Sequence, residues 1–242
     1  MTNKYESFNL EIEDNIANII LSRPEQLNSM SRKFWVELPE ILEEVNRNSE
    51  IRVLIISSTG KHFCAGMDLS AFDNGVANIP KEKRPDNARI GEALYRSAKE
   101  LQEYISKLEK IRVPVIAAIH GGCIGGAVDL VTACDIRLAT TDAFFCIQEI
   151  NIGMAADVGT LQRLPRIIPD SKMRELAYTG RRMLADEAKT SGLVSDVYNS
   201  QEEMVNAAKE MANEIAKKSP IAIYGLKALM NYSRDHTISD SL

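Results

Sequence analysis

The chain has 242 residues, 45% of them hydrophobic, which is enough to bury one large core or two modest ones. Its formal net charge of −5 gives no general attraction to nucleic acid or to anionic membranes, so neither is expected as a partner. No apolar run approaches the roughly 20 residues that a membrane-spanning helix requires, and no membrane span is expected.

The first part of the chain predicts a β-hairpin followed by a helix. Residues 8–13 alternate apolar and polar side chains, residues 16–21 are a mainly apolar partner, and the two residues between them supply the turn. Ser31 is a predicted N-cap for a helix whose apolar residues recur at helical spacing: Phe34, Leu38, Ile41, Leu42 and Val45. Pro39 interrupts this pattern, so the helix is expected to bend there or to split off its first turn.

Strands and helices alternate through the middle of the chain. Apolar runs predict four strands, at 53–57, 114–119, 135–139 and 143–147. A helix is predicted at 89–110, and the polar segment 73–88 is expected to be a surface loop. The chain is then predicted to be mostly helical, with helices at 158–165, 170–179, 185–190, 201–218 and 220–233.

This order of elements implies an α/β layered fold. We assign residues 1–195 to an α/β core and residues 196–242 to a C-terminal helical region. The last helix lies at the end of the sequence with an apolar face and no covering partner. Contacts in an oligomer, or further residues, are therefore expected to cover it.

The four cysteines, Cys64, Cys123, Cys134 and Cys146, lie in apolar segments without Cys-x-x-Cys spacing. The three histidines are not spaced as metal ligands. We therefore predict reduced, buried thiols and expect neither a disulfide framework nor a metal site.

Three acids in apolar surroundings are the candidate catalytic residues: Asp129, Glu149 and Asp157. An acid in such a setting has either a structural partner or a chemical role. The structural alternative is a helix cap or an ion pair, for which the available cations are Arg137, Arg163 and Arg166.

Two glycine-bearing turns follow buried strands, at 64–67 and at 121–126. A turn that enters a helix presents free backbone N–H groups at the positive end of the helix dipole. Two such turns side by side can direct two N–H donors at one oxygen, which forms an oxyanion hole. The alternative is that both are tight turns required only by packing. Dinucleotide binding is not expected, because Cys123 occupies the position of the middle glycine in Gly-x-Gly-x-x-Gly.

Three segments resemble the crotonase (enoyl-CoA hydratase/isomerase) superfamily: Leu21-Ser-Arg-Pro24, His62-Phe-Cys-Ala-Gly-Met-Asp-Leu69, and residues 117–137 around Gly121-Gly-Cys-Ile-Gly-Gly126. Within it, the sequence is most similar to the Δ3,5-Δ2,4-dienoyl-CoA isomerases. That closer resemblance rests on Asp129, Glu149 and the segment 154–164, because a hydratase would carry Glu at position 129 and Gly at position 157.

The resemblance implies a crotonase-like spiral of repeated ββα units with a helical C-terminal region, truncated relative to family members that continue past Leu242. It implies an acyl-CoA thioester substrate and no separate cofactor, because coenzyme A is part of the substrate. By motif position the oxyanion hole maps onto the backbone N–H groups of Met67 and Gly126. The surrounding substrate-binding residues are Ala65, Gly66, Asp68 and Gly125.

The implied reaction moves two conjugated double bonds, so a proton leaves C2 and another arrives at C6. We predict that Glu149 acts at C2 and Asp157 at C6, with the reverse assignment left open. Asp157 must then begin protonated, which burial among Ala155, Ala156 and Val158 would favour. Asp129 is one methylene shorter than the hydratase Glu and is expected to orient or polarise.

The resemblance also implies a homo-oligomer, a trimer or hexamer, in the peroxisome or mitochondrion. Lys61, Lys81, Lys83 and Arg84 are candidates for the phosphates of coenzyme A, although solvated surface residues fit them as well. Two other functions stay open. One is an enoyl-CoA hydratase or other acyl-CoA isomerase, and the other is a non-enzymatic acyl-CoA-binding or scaffold protein.

Overall fold

The computed structural model describes residues 5–68 and 86–242. Nine strands lie within these residues: β1 (Phe8–Glu13), β2 (Ile16–Leu21), β3 (Val53–Ser58), β4 (Val115–Ile119), β5 (Gly122–Ile124), β6 (Ile136–Thr140), β7 (Phe144–Cys146), β8 (Met183–Leu184) and β9 (Asp196–Tyr198). The same residues contain α1 (Arg32–Arg47), α2 (Asn87–Lys110), α3 (Gly126–Thr132), α4 (Thr160–Arg163), α5 (Asp170–Thr179), α6 (Ala185–Ser191), α7 (Gln201–Ala216), α8 (Pro220–Asp235) and α9 (Ile238–Ser241).

Two sheets organise the fold. The larger has the strand order β1-β2-β3-β4-β6-β9, and the smaller has the order β5-β7-β8. Only the β1–β2 hairpin is antiparallel in the larger sheet, and every other pair in that sheet is parallel. Parallel neighbours require crossover connections, so the chain leaves and re-enters the larger sheet several times. The strands β5, β7 and β8 lie in these connections and form the smaller sheet.

The two faces of the larger sheet are covered by different elements. One face packs on α7, through a cluster in which Met204, Ala208 and Ala212 meet alternate residues of the central strands. The other face belongs to a larger core shared with α1, α3 and the smaller sheet. Burial on both faces explains why β3 and β4 are continuous apolar runs.

Most of the predicted elements are confirmed within one or two residues. The β1–β2 turn lies at Asp14 and Asn15, both with left-handed φ angles of 48° and 66°. Ser31 caps α1 by accepting a hydrogen bond from the amide of Phe34 at 3.3 Å. Of the two outcomes expected at Pro39, the split is wrong, because α1 runs as one helix through that residue, and the bend stays a prediction. The five apolar residues predicted to recur along α1 are all buried, and their packing outweighs the lost hydrogen bond.

The sequence does not predict β5, β8 or β9, since each has only two or three residues.

Most of the predicted surface loop, with Lys81, Lys83 and Arg84, lies outside the described residues. The four cysteines are all free and buried. None of the described helices is both long and apolar enough to cross a membrane. The division of the chain at residue 195 stays a prediction.

The C-terminal helix α8 is anchored by one buried cation. Lys227 is 4% exposed, and its ammonium group donates to the carbonyls of Leu108 and Val113 and to the carboxylate of Asp135, at 3.0, 2.9 and 2.8 Å. Three donors meet three acceptors, so the charge is fully satisfied. Asp135 also accepts from the amide of Val115 at the start of β4, which ties α8 to the larger sheet.

Replacing Lys227 with Met removes the cation, takes the donor from the carbonyls of Leu108 and Val113, and leaves the Asp135 carboxylate bonded only to the amide of Val115. We expect the free energy of unfolding to fall by about 3 kcal/mol, as for breaking a buried ion pair from one side. Urea denaturation measures the change, and Lys217→Met, on an exposed residue just after α7, is the matched control. Equal stability of the two variants would contradict the anchoring role.

Candidate active site

The two glycine-bearing turns lie side by side. An isolated parallel bridge joins Cys64 to Cys123, with the Cys64 amide donating to the Gly122 carbonyl and the Ile124 amide donating to the Cys64 carbonyl, both at 3.1 Å. The segment after β3 therefore runs along β5 as an extra strand. This pairing places residues 65–67 beside the turn that leads from β5 into α3.

Gly66 allows the closest approach of the two turns. Its φ angle is +86°, and a Cβ atom at this position would lie 2.5 Å from the carbonyl oxygen of Ile124 and 3.5 Å from the nitrogen of Gly126. Such a contact is too short for any side chain, so only glycine fits. Gly66 thus lies close to the amide of Gly126.

Two backbone N–H groups at this junction lack an acceptor among the described residues, those of Met67 and Gly126. Gly126 is the first residue of α3, where an amide has no intrahelical partner. Met67 forms a parallel β-bridge with Met30, in which the hydrogen bonds are made by the residues on either side of Met67. The amide of Met30 donates to the carbonyl of Gly66 at 2.8 Å, and the amide of Asp68 donates to the carbonyl of Met30 at 3.1 Å. That pattern turns the Met67 N–H away from Met30.

Glu149 lies next to the α3 turn. It begins a short 3-10 turn, Glu149–Ile152, that follows β7, and the amide of Gly125 is bonded to Cys146 at the end of β7 at 2.9 Å. A Cβ atom on Gly125 would lie 3.2 Å from Oε1 of Glu149. The other carboxylate oxygen, Oε2, is buried without a hydrogen-bond partner in the described part of the chain. Burial raises the pKa of Glu149, its own backbone amide opposes the rise, and the nearby Asp157 carboxylate adds to it.

Asp129 is on α3 and is 1% exposed. Its Oδ1 atom accepts a 2.6 Å hydrogen bond from the amide of Thr160, the first residue of α4. Burial raises the pKa of Asp129 to about 7, contacts with Thr160 oppose the rise, and the neighbouring Glu149 carboxylate adds to it. Asp129 therefore holds the start of α4, and Glu149 interacts electrostatically with both of the other acids.

The predicted burial of Asp157 is wrong for the single chain without a bound substrate. Ala156 and Val158 are buried, but Asp157 and Ala155 are exposed. The segment between the 3-10 turn Glu149–Ile152 and α4 runs along the surface, so residues 155–158 are alternately exposed and buried. The carboxylate of Asp157 still adds to the raised pKa of Glu149, so the two carboxyl groups are near enough to interact electrostatically.

None of the three candidate arginines forms an ion pair with these acids. Arg163 pairs with Glu109 at 2.8 Å, and Arg166 pairs with Asp235. Arg137 donates to backbone carbonyls at the end of α3 and before β9. The structural alternative of ion pairing therefore fails for all three partners, while the alternative of helix capping describes the Asp129–Thr160 contact.

The remaining predicted residues follow the same turn. The amide of Ala65 donates to Leu27 at 3.0 Å, and the carboxylate of Asp68 accepts from Ser29 at 3.0 Å. Asn28, a residue that the sequence analysis does not identify, stabilises this region. Its side-chain amide donates to the carbonyls of Thr59 and His62 at 2.7 and 3.0 Å. A lone asparagine in a polar loop carries no sequence signal for such a role. Lys61 is exposed.

The acids do not line the cavity of about 650 Å³ that opens between α2, α4 and α8. Apart from Arg137, the charged groups there pair with one another, as Arg163–Glu109, Arg234–Glu109, Arg166–Asp235 and Lys227–Asp135. The candidate site is instead the junction of the two turns. No group of three or more His, Cys, Asp or Glu residues within 5–68 and 86–242 is arranged to hold a metal ion.

Comparison with known proteins gives a consistent result. The profile of the enoyl-CoA hydratase/isomerase family matches residues 11–240. The chain is 45% identical over 240 residues to the Delta(3,5)-Delta(2,4)-dienoyl-CoA isomerase, mitochondrial, of Rattus norvegicus, covering 98% of this chain and 72% of that protein. It is 43% identical over 230 residues to the peroxisomal Delta(3,5)-Delta(2,4)-dienoyl-CoA isomerase of Arabidopsis thaliana, covering 95% of this chain and 82% of that protein.

Solved structures show the same fold. The crystal structure of an enoyl-CoA hydratase from Bacillus anthracis superposes with a TM-score of 0.85 at 31% identity, and the match covers 98% of this chain and 86% of that one. The predicted crotonase-like architecture with a helical C-terminal region is therefore confirmed.

The raised pKa of Asp129 makes the free energy of unfolding depend on pH, which can be tested. Because the folded-state pKa is raised from 3.8 to about 7, ionising Asp129 opposes folding, and stability is lost as the pH rises from about 4 through 7. Asp129→Asn keeps an oxygen acceptor for Thr160 and removes the titration. We expect this variant to gain stability relative to wild type by about 4 kcal/mol across that window.

Urea denaturation of both proteins between pH 4 and pH 8 measures the difference, in which titrating groups that do not interact with Asp129 cancel. Parallel stability curves would contradict a buried, protonatable Asp129.

Proposed function

Because this chain belongs to the enoyl-CoA hydratase/isomerase family, we propose that it is a Δ3,5-Δ2,4-dienoyl-CoA isomerase of fatty acid β-oxidation. The observation that carries the proposal is that Glu149 lies against Gly125, beside the backbone amides of Met67 and Gly126, which lack an acceptor among the described residues. Asp157 adds to the raised pKa of Glu149, so a second carboxyl group is near. A pair of carboxyl groups suits a reaction with two separated proton transfers. The relatives that share about 45% of the sequence carry the isomerase name.

The amides of Met67 and Gly126 form the proposed oxyanion hole. When a proton leaves C2 of the acyl chain, negative charge develops on the thioester oxygen. Two preorganised N–H donors stabilise that charge, and removing one such donor from an enzyme typically costs about 3 to 4 kcal/mol of transition-state stabilisation. The dipole of α3 adds to the effect at Gly126, because that residue is at the helix N-terminus.

The proton balance assigns one acid to each end of the conjugated system. The Glu149 carboxylate takes a proton from C2, the C2–H electron pair forms a C1=C2 double bond, and the carbonyl pair moves onto the thioester oxygen, which gives a dienolate. The oxygen pair then re-forms C1=O, and the C1=C2 pair moves to C2=C3. The C3=C4 pair moves to C4=C5, and the C5=C6 pair takes a proton at C6 from the Asp157 carboxylic acid. The product is the 2,4-dienoyl thioester, with Glu149 protonated and Asp157 ionised, and exchange with solvent restores both.

Asp129 and Asp157 contribute differently in this proposal. Asp129 is fully buried and bonded to Thr160, so it orients the segment that leads into α4 and does not transfer a proton to substrate. Asp157 is exposed in the chain alone, and a bound acyl chain would cover it. The neutral acid is the form that can donate a proton to C6. The reverse assignment of Glu149 and Asp157 is an outcome that the experiment below distinguishes.

The partners and the compartment are also proposed. The substrate is an acyl-CoA thioester, and no cofactor other than the coenzyme A of the substrate is required. The relatives from Rattus norvegicus and Arabidopsis thaliana are a mitochondrial and a peroxisomal isomerase, and we propose one of these two compartments for this chain. A homo-oligomer, trimer or hexamer, fits the exposed apolar residues of α8, among them Ile221, Leu229 and Met230.

The function is tested by offering the purified protein a 3,5-dienoyl-CoA and, separately, a 2-enoyl-CoA. We expect rapid formation of 2,4-dienoyl-CoA, seen as new ultraviolet absorbance from conjugation with the thioester and identified by chromatography. Faster hydration of the 2-enoyl-CoA would establish the hydratase alternative. Binding of both thioesters without turnover would establish a binding protein instead.

Matched carboxylate variants separate the two proton transfers. In deuterated water, Glu149→Gln should lose both deuterium incorporation at C2 and isomerisation, because the first step fails. Asp157→Asn should bind the substrate and incorporate deuterium at C2 but lose isomerisation by about 100-fold or more, since a positioned acid contributes that order of acceleration.

Glu202→Gln, on the exposed side of α7, is the control and should behave as wild type. The opposite pattern for the two acids would reverse their roles. Unchanged turnover in Asp157→Asn would remove this residue from the mechanism.

A further inference from the structure

We propose that Gln102, on α2, is a positioning residue that fixes Asp157 for the delivery of the proton to C6. The inference rests on the proposed function. Its structural basis is a direct contact: Nε2 of Gln102 donates a 2.6 Å hydrogen bond to the main-chain oxygen of Asp157, 55 residues away. Gln102 touches no predicted reacting atom, so its effect passes through the backbone that carries the carboxylate.

The segment that carries Asp157 is held at three successive backbone groups. Gln102 binds the carbonyl of Asp157, Arg163 donates to the carbonyl of Val158 at 3.3 Å, and the amide of Thr160 donates to Asp129 at 2.6 Å. The remaining residue of this segment, Gly159, has a φ angle of +132°, and a Cβ there would clash with the Arg163 guanidinium. The main chain is therefore fixed although the side chain of Asp157 is exposed.

One stripe of α2 supplies these contacts. Gln102, Ser106 and Glu109 are spaced i, i+4 and i+7, so they share one helix face. Ser106 and Glu109 accept from the guanidinium of Arg163 at 2.8 Å each, and Glu109 also accepts from Arg234 at 2.6 Å. Hence the same helix face binds the carbonyl of Asp157 directly and that of Val158 through Arg163.

Gln102 differs from the rest of the stripe in its exposure. Arg163 and Glu109 form a nearly buried ion pair, with side chains 12% and 13% exposed, so replacing either risks the fold. Gln102 is half-buried at the surface and contributes little to the core. Its hydrogen bond can be removed with small cost to stability, which makes its effect on catalysis measurable by itself.

Loss of the Gln102 hydrogen bond is expected to affect the proton transfer at C6 and not the one at C2. Glu149 lies after β7 and against Gly125, and neither is bonded to Gln102. Loss of the Gln102 contact should therefore displace the group that acts at C6 and leave the group that acts at C2 in place. A general loss of structure would impair both transfers together.

The experiment uses Gln102→Met, which preserves the length of the side chain and removes the donor. Gln102→Asn keeps the amide but is one methylene shorter, so it should fail to reach the carbonyl and behave similarly. Glu103→Met, on the exposed side of the same helix turn, is the matched control. For each protein, deuterium incorporation at C2 and formation of 2,4-dienoyl-CoA are measured in deuterated water, and urea denaturation checks that the fold is intact.

We expect Gln102→Met and Gln102→Asn to form product about 10- to 100-fold more slowly, the scale of effect of a displaced catalytic group, with exchange at C2 within about twofold of wild type. The ratio of exchange to product formation rises only in these two variants. An equal fall in both rates, or no change in either, overturns the positioning role. If wild type forms no 2,4-dienoyl-CoA, the proposed function itself fails, and that result is read before any variant is compared.

Discussion

The arrangement of the site depends on the close pairing of two backbone segments, the turn after β3 and the strand β5. At Gly66 the two chains approach so closely that no side chain can intervene, and this contact places the amides of Met67 and Gly126 at one junction. Backbone donors fixed by a sheet need no reorganisation when charge develops on a bound oxygen. The larger sheet, with both faces buried, supplies the rigid support for that pairing.

The acids are placed on this frame by three separate elements, which lets them differ in environment. Asp129 is inside α3 and buried, Glu149 lies on the turn after β7 and is partly buried, and Asp157 lies on an exposed segment. Burial makes ionisation of the first two costly, so each can exist as a neutral acid closer to neutral pH than a solvated carboxyl group can. A raised pKa also makes the ionised carboxylate a stronger base, which suits Glu149 for the proposed removal of the proton from C2.

The sequence predicts the long elements well and the contacts poorly. Alternation and helical spacing are sufficient for β1, β2, α1 and α7, because their apolar residues follow a single period. The family motifs predict that the candidate acids and both glycine turns share one site, and the structure places the two turns side by side. The exposure of Asp157 and its link to Gln102 are not predictable, because both depend on how α2 packs across a gap of 55 residues. The Arg163–Glu109 pair is missed for the same reason: nothing in the sequence indicates which acid a given arginine meets.

The most direct test of the account is a crystal structure with a non-reactive dienoyl-CoA analogue bound. The account predicts that the thioester oxygen lies about 2.7–3.1 Å from the backbone nitrogens of both Met67 and Gly126. It also predicts that C2 faces the carboxylate of Glu149 and C6 faces that of Asp157. A thioester oxygen bonded to neither amide, or an acyl chain that leaves the junction of the two turns empty, would contradict it.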